Sequence, residues 1–136
     1  MDFRVFPGNY KSLKFISNYI KTVAKEAGFD EFTIYTIETA VDEACSNIIE
    51  HAYGGEDIGD IEIGYTDEPK QFTIIIKDHG HPFDPSSIPI PNLSSKLAER
   101  KANGLGLYMM HQWMDEINFQ FSENSNILSM VKYKGN

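Results

Sequence analysis

Hydrophobic positions recur with a helical period near the start of this chain and with a strand period through its middle and end. After Phe3 to Phe6, a short strand candidate closed by Pro7-Gly8, the residues Leu13, Ile16, Ile20, Val23 and Ala27 fall at helical spacing, and Gly28 is a natural stop. Asp30 is placed to cap a second, longer helix whose stripe of Ile37, Val41, Ala44, Cys45, Ile48 and Ala52 runs until Gly54-Gly55. The period then changes to two. Ile61, Ile63 and Tyr65 alternate, Asp67-Glu68-Pro69-Lys70 makes a turn, and Phe72, Ile74 and Ile76 alternate again, with Asp78 extending that rhythm to the strand's end. Pro82 to Asn103, rich in proline, serine and asparagine, reads as a long loop of the kind that forms lids. Leu107, Met110, Met114 and Ile117 mark a third helix, followed by strands at Phe119 to Phe121 and Ile127 to Tyr133 joined at Asn124-Ser125-Asn126. Helices alternating with antiparallel hairpins predict an α+β fold, a two-layer α/β sandwich with one mixed, mostly antiparallel sheet covered by helices on one face.

Length and charge narrow the range of functions. The chain has 136 residues, enough for a single domain spanning 1–136, and 41% hydrophobic with 24% charged residues is ordinary for a globular protein. A net charge of -8 and 12 scattered basic residues disfavour direct nucleic-acid binding. No apolar run approaches the roughly 20 residues needed to span a bilayer. The start Met1-Asp2-Phe3-Arg4 lacks a signal-peptide pattern, and the lone Cys45 has no internal disulfide partner, so a cytoplasmic location is expected.

Three short stretches carry candidate chemistry. On the second helix, about 100° per residue brings Glu43, Asn47 and His51 into one column along the edge of the apolar stripe. A carboxylate there can act as general base, and an amide oxygen suits Mg²⁺, which takes few protein ligands when phosphates supply the rest. A solvated helix face would have the same spacing. The second stretch, Asp78-His79-Gly80-His81-Pro82-Phe83-Asp84, starts at a strand end. The Asp78 carboxylate can accept a hydrogen bond from an exocyclic amine, Gly80 permits close approach of backbone to a flat base, and Pro82 stiffens the turn; a plain turn with Asp78 capping local amides is the alternative. Two histidines and a carboxylate are also zinc-ligand types, but alternate positions straddling a glycine point apart, which leaves His79 and His81 as rim residues. The third stretch, Asn103-Gly104-Leu105-Gly106-Leu107, opens the third helix with exposed amides suited to an anion, or simply forms a hinge. Arg100 and Lys101 precede it and can reach outer phosphates, or pair with Glu99 in solvent.

Taken in order, these stretches resemble the GHKL ATPase superfamily, and within it the small anti-sigma factor serine/threonine kinases of bacteria. Glu43 and Asn47 match the family's helical box, Asp78 and Gly80 its adenine-reading box, and Gly104 and Gly106 its phosphate-side glycine box; Tyr108-Met109-Met110 and Met114-Asp115-Glu116 are similar too. Ala102-Asn103 stand where several relatives carry an arginine. The resemblance implies a histidine-kinase-like ATPase domain that binds ATP and Mg²⁺. It implies Glu43 as the catalytic base and Asn47 as the metal ligand, and it puts Asn47, His51, Asp78, Gly80, Pro82, Phe83 and the run Gly104, Leu105, Gly106, Leu107 around the nucleotide under a lid at about residues 85–103. The implied activity is phosphorylation of a STAS-type anti-anti-sigma partner, with a sigma factor as the competing partner and a homodimer as the assembly. A nucleotide-binding module that sequesters a protein without catalysis is the other reading.

Overall fold

The computed structural model describes residues 1–83 and 112–135. Strand β1 (Arg4–Pro7) is followed by helix α1 (Ser12–Glu26) and helix α2 (Glu31–Asn47), which passes directly into a π-helical turn at Ile48–Ala52. Two hairpins follow in the described chain, β2 (Asp60–Asp67) with β3 (Gln71–Asp78), and β4 (Glu116–Phe121) with β5 (Asn126–Tyr133).

Local chemistry accounts for the helix boundaries. Asn9 accepts from both the backbone N–H and the hydroxyl of Ser12, which fastens the start of α1. Gly28 has φ of +98°, the left-handed conformation that ends helices, and Asp30 Oδ1 caps α2 by accepting from Thr33 N–H at 2.8 Å. The apolar stripes of α1 and α2 then pack on the sheet, and Ile16, Ile20, Ile37 and Val41 are fully buried with Ile61, Ile63, Phe72, Ile74, Ile76 and Met130.

The five described strands lie in the order β1-β2-β3-β5-β4, and every described pairing is antiparallel, in keeping with the mostly antiparallel sheet expected from the sequence. Along β3 the burial alternates strictly, so Asp78 lies on the same core-facing side as Phe72, Ile74 and Ile76. The β3–β5 register sets Asp78 opposite Asn126, 48 residues away in the chain.

Two expectations are corrected. Ile117, placed by its spacing on the third helix, lies in β4; Ile117 and Phe119 alternate as partly buried residues packed against the core, and the helical turn at Gln112 and Trp113 has ended by then. A four-residue window that fits a helix period also fits a strand when the preceding turn is short. The second helix is not α-helical to its end, and the π turn alters which residues share a column. The lid, the glycine box and the start of the third helix lie outside the described residues.

Candidate functional site

Asp78 is a carboxylate delivered into the interior by strand alternation, and it is only 3% exposed. Its Oδ1 accepts hydrogen bonds from Gly80 N–H at 2.9 Å and from the Asn126 amide at 2.8 Å. Burial nevertheless pushes the Asp78 carboxyl above the ordinary carboxylate range, against the lowering effect of those donors. A buried acid with one oxygen satisfied by the protein retains acceptor capacity for a donor from outside.

Asp78 borders a small cavity between the end of α2 and the sheet, together with Asn47, Ile48, Phe83, Phe121 and Asn126. Its volume is about 20 Å³, room for one water. The walls are aromatic and aliphatic. Phe83 lies with its ring centroid 6.3 Å from Phe121, and Phe121 stacks on Phe119 at 6.1 Å. At that volume the cavity as it stands does not admit a purine ring.

A wider cleft of about 740 Å³ lies on the other side of Gly80, bordered by Asp60, Glu62, His79, His81 and Glu123. Three carboxylates repel phosphates, and among the described residues no group of three His, Cys, Asp or Glu is placed to hold a metal ion. His79 instead bridges Glu62 at 2.8 Å and the Asn124 carbonyl at 2.9 Å. Size alone would select this cleft as a ligand site; its three carboxylates make it a poor one for an anion.

The π turn determines how the helical residues reach the cavity. Tyr53 N–H donates to Ile48 O at 2.9 Å, a five-residue step that widens the helix. Ala52 is fully buried; Asn47 is buried at 7% exposure and borders the cavity, whereas His51 is exposed with its ring 5.6 Å from Phe83. Glu43 is partly buried one turn before Asn47. Pro82 is exposed beside Phe83. Cys45 is fully buried and its thiol is pushed up by burial, so it is chemically inert.

Gly80 has a structural reason for being glycine. A Cβ there would lie 2.5 Å from the Ala52 carbonyl oxygen, and the adjacent His81 N–H donates to that same oxygen at 2.7 Å. The close approach is to the protein's own helix end. Arg100, Lys101, Gly104, Leu105, Gly106 and Leu107 lie outside the described residues. Conversely, Asn126, Phe119 and Phe121 border the cavity without having been singled out from sequence; Asn126, expected in the Asn124-Ser125-Asn126 connection, is the first residue of β5, and nothing local in the sequence distinguishes it from a turn residue.

The fold is an α+β sandwich of the GHKL type. Residues 6–132 match the family model described as histidine kinase-like ATPase domain. The chain belongs to that family. It is similar to the serine-protein kinase RsbW of Bacillus cereus (strain AH187), with 35% identity over 115 residues covering 82% of this chain and 71% of the relative. RsbW of Bacillus thuringiensis (strain Al Hakam) is 34% identical over the same shares. Among solved structures, the RsbU and RsbW domains of a Mycobacterium tuberculosis protein align with a TM-score of 0.63 at 13% identity, over 97% of this chain and 32% of that one. The catalytic domain of histidine kinase ThkA aligns with a TM-score of 0.56 at 17% identity, over 98% and 99% of the two chains. At those identities the structural likeness establishes the fold.

Proposed function

We propose that this protein is an ATP-dependent serine kinase and anti-sigma factor that phosphorylates a STAS-type anti-anti-sigma partner. The observation that carries the reading is the buried Asp78 at the edge of an otherwise apolar cavity, in a chain of this ATPase family with RsbW relatives named as serine-protein kinases. An apolar slot with one carboxylate suits the face and exocyclic amine of adenine. Asn47, buried beside the same cavity, offers an amide oxygen to Mg²⁺; a single protein ligand is chemically sufficient where phosphates and waters complete the shell.

Mg²⁺-ATP, as substrate, supplies the transferable γ-phosphoryl group. Glu43, one helical turn before Asn47, takes the proton of the partner's serine hydroxyl as that oxygen bonds to phosphorus and the bond to the β-phosphate oxygen breaks, leaving ADP. The unphosphorylated partner competes with a sigma factor for this chain, and the phosphorylated partner does not. Assembly as a homodimer and a cytoplasmic location belong to the same reading; the described residues contain no helix long and apolar enough to cross a membrane.

Calorimetry with Mg²⁺-ATP and with ADP on wild type and Asp78→Asn tests the site. Binding by wild type with loss of at least tenfold in the variant is expected, the equivalent of one charge-assisted hydrogen bond. Equal affinity in both would remove Asp78 from the site. Binding of ATP without phosphate appearing on an added STAS partner would leave the sequestering module in place of the kinase.

A further inference from the structure

We propose that Asn126 reads the nucleobase directly, its side-chain oxygen pairing with Asp78 to present two acceptors to the 6-amino group of a purine. The inference rests on the nucleotide reading above and deepens it, because it assigns the base specificity to a residue on β5.

The orientation of the Asn126 amide is fixed by its neighbours. Nδ2 lies 2.8 Å from Asp78 Oδ1, 3.1 Å from the Gly80 carbonyl and 3.4 Å from the His81 carbonyl. All three are acceptors. Turning the amide over would set an oxygen against three oxygens, so the NH₂ group faces them and Oδ1 faces away. That oxygen is buried, and among the described residues it has no hydrogen-bond partner. The residue is 4% exposed and borders the same cavity as Asp78. A buried carbonyl oxygen without a donor is uncommon and costly, which points to a donor arriving from outside the described chain.

The chemistry of that donor follows from what is spent and what remains. Asp78 Oδ1 is occupied by Gly80 and Asn126, leaving the second carboxylate oxygen; Asn126 has given its N–H groups, leaving its carbonyl. The cavity thus offers acceptors and no side-chain donor from this pair. A 6-amino purine brings two N–H donors on one nitrogen and matches both acceptors, whereas a 6-oxo purine brings a third acceptor to a site that has only acceptors. One water fits the cavity, and the amino group takes its place.

The test compares ATP, purine riboside triphosphate and inosine triphosphate as ligands of wild type and of Asn126→Ala, by calorimetry in the presence of Mg²⁺. Purine riboside lacks the amine and adds no bulk. With two acceptors in use, wild type favours ATP over purine riboside triphosphate by about a hundredfold, about tenfold for each hydrogen bond. In Asn126→Ala the preference falls to about tenfold, and in wild type inosine triphosphate binds more weakly than purine riboside triphosphate. An unchanged preference in the variant, or a preference of only about tenfold already in wild type, would overturn the inference; the wild-type ratio decides the matter even where the variant does not fold. Wild type that binds none of the three would remove the nucleotide reading and this inference together, while binding with the wrong ratio removes this inference alone.

Discussion

The carbonyl oxygen of Ala52, in the π turn that ends the second helix, lies against the α-carbon of Gly80 so closely that a Cβ would come within 2.5 Å of it. The same oxygen accepts from His81 N–H at 2.7 Å. Helix end and strand end are thus joined through one carbonyl, close in sequence to Asp78, which borders the cavity with Asn47. Gly80→Ala has no room and must push the helix end away. The expected cost is about 2 to 3 kcal/mol, in the range of overpacked interiors, read as a lowered urea midpoint with unchanged slope. A midpoint equal to that of wild type would mean the junction yields freely.

Asp78 sets binding against stability. Its carboxyl is raised above the ordinary value of 3.8 by burial, so the folded state holds its proton more tightly than the unfolded state. Asp78 therefore makes its largest contribution to stability below pH 3.8, and that contribution declines as pH rises through the elevated folded value. At neutral pH the buried charge is a cost. Asp78→Asn keeps an acceptor for Gly80 and Asn126 while removing that charge, so its melting temperature at pH 7 equals or exceeds that of wild type even as nucleotide affinity falls. A variant that loses both stability and binding would indicate that the charge itself holds the site together.

Much of this arrangement was legible in the sequence, for identifiable reasons. The alternation Phe72, Ile74, Ile76 carries on to Asp78, and a period of two places that carboxylate on the core side without knowledge of the fold. Asp30 and Gly28 marked the helix boundaries because capping chemistry is local. Asn126, read from sequence as part of the connecting turn, was not marked as a site residue because its place beside Asp78 comes from register with β3, a pairing across 48 residues. The π turn escaped for a different reason: the run Ile48 to Ala52 has ordinary helical composition, and the close approach of Ala52 to Gly80 at its end is a tertiary contact that no local pattern announces.

His79 gives the rim of the site a pH dependence of opposite sign. Its hydrogen bonds to the Asn124 carbonyl and then to Glu62 raise its pKa above the ordinary 6.5. The protonated ring stabilises the folded state; that contribution is complete below pH 6.5 and is lost as pH rises through the elevated folded value. Melting temperatures of wild type should fall relative to those of His79→Gln as pH rises above 6.5 through the elevated folded value, and the variant's curve is flatter. Parallel curves would show that the bridge contributes nothing.

Tyr53 supports His79 from below. Its hydroxyl donates to the Asp60 carbonyl at 2.5 Å and accepts from His79 N–H at 3.0 Å, and its ring fills the space where Gly59 lacks a side chain. Tyr53→Phe keeps the ring but leaves that N–H and carbonyl without their partner. A loss of about 1 to 2 kcal/mol in denaturant unfolding is expected, with nucleotide affinity changed less than twofold because Tyr53 does not border the cavity lined by Asn47 and Asp78. A large affinity loss at unchanged stability would place Tyr53 in the binding site itself.

In the proposed reading Glu43 serves transfer and not nucleotide binding. It stands one turn before Asn47 on α2, partly buried, and it does not border the cavity that Asp78 and Asn126 share. A base for the partner's serine is needed at the phosphate end of the nucleotide, away from the adenine, and a residue on the same helix as the proposed Mg²⁺ ligand satisfies that requirement. Glu43→Gln preserves size and hydrogen bonding while removing the basicity. ATP affinity should stay within about twofold of wild type, and single-turnover transfer to a STAS partner should drop by 10² or more, the usual worth of a positioned base. Adding back a small external base would not restore the rate if Glu43 also orients the serine. Transfer at the wild-type rate in Glu43→Gln would remove the base assignment and return this carboxylate to the ordinary polar face of its helix.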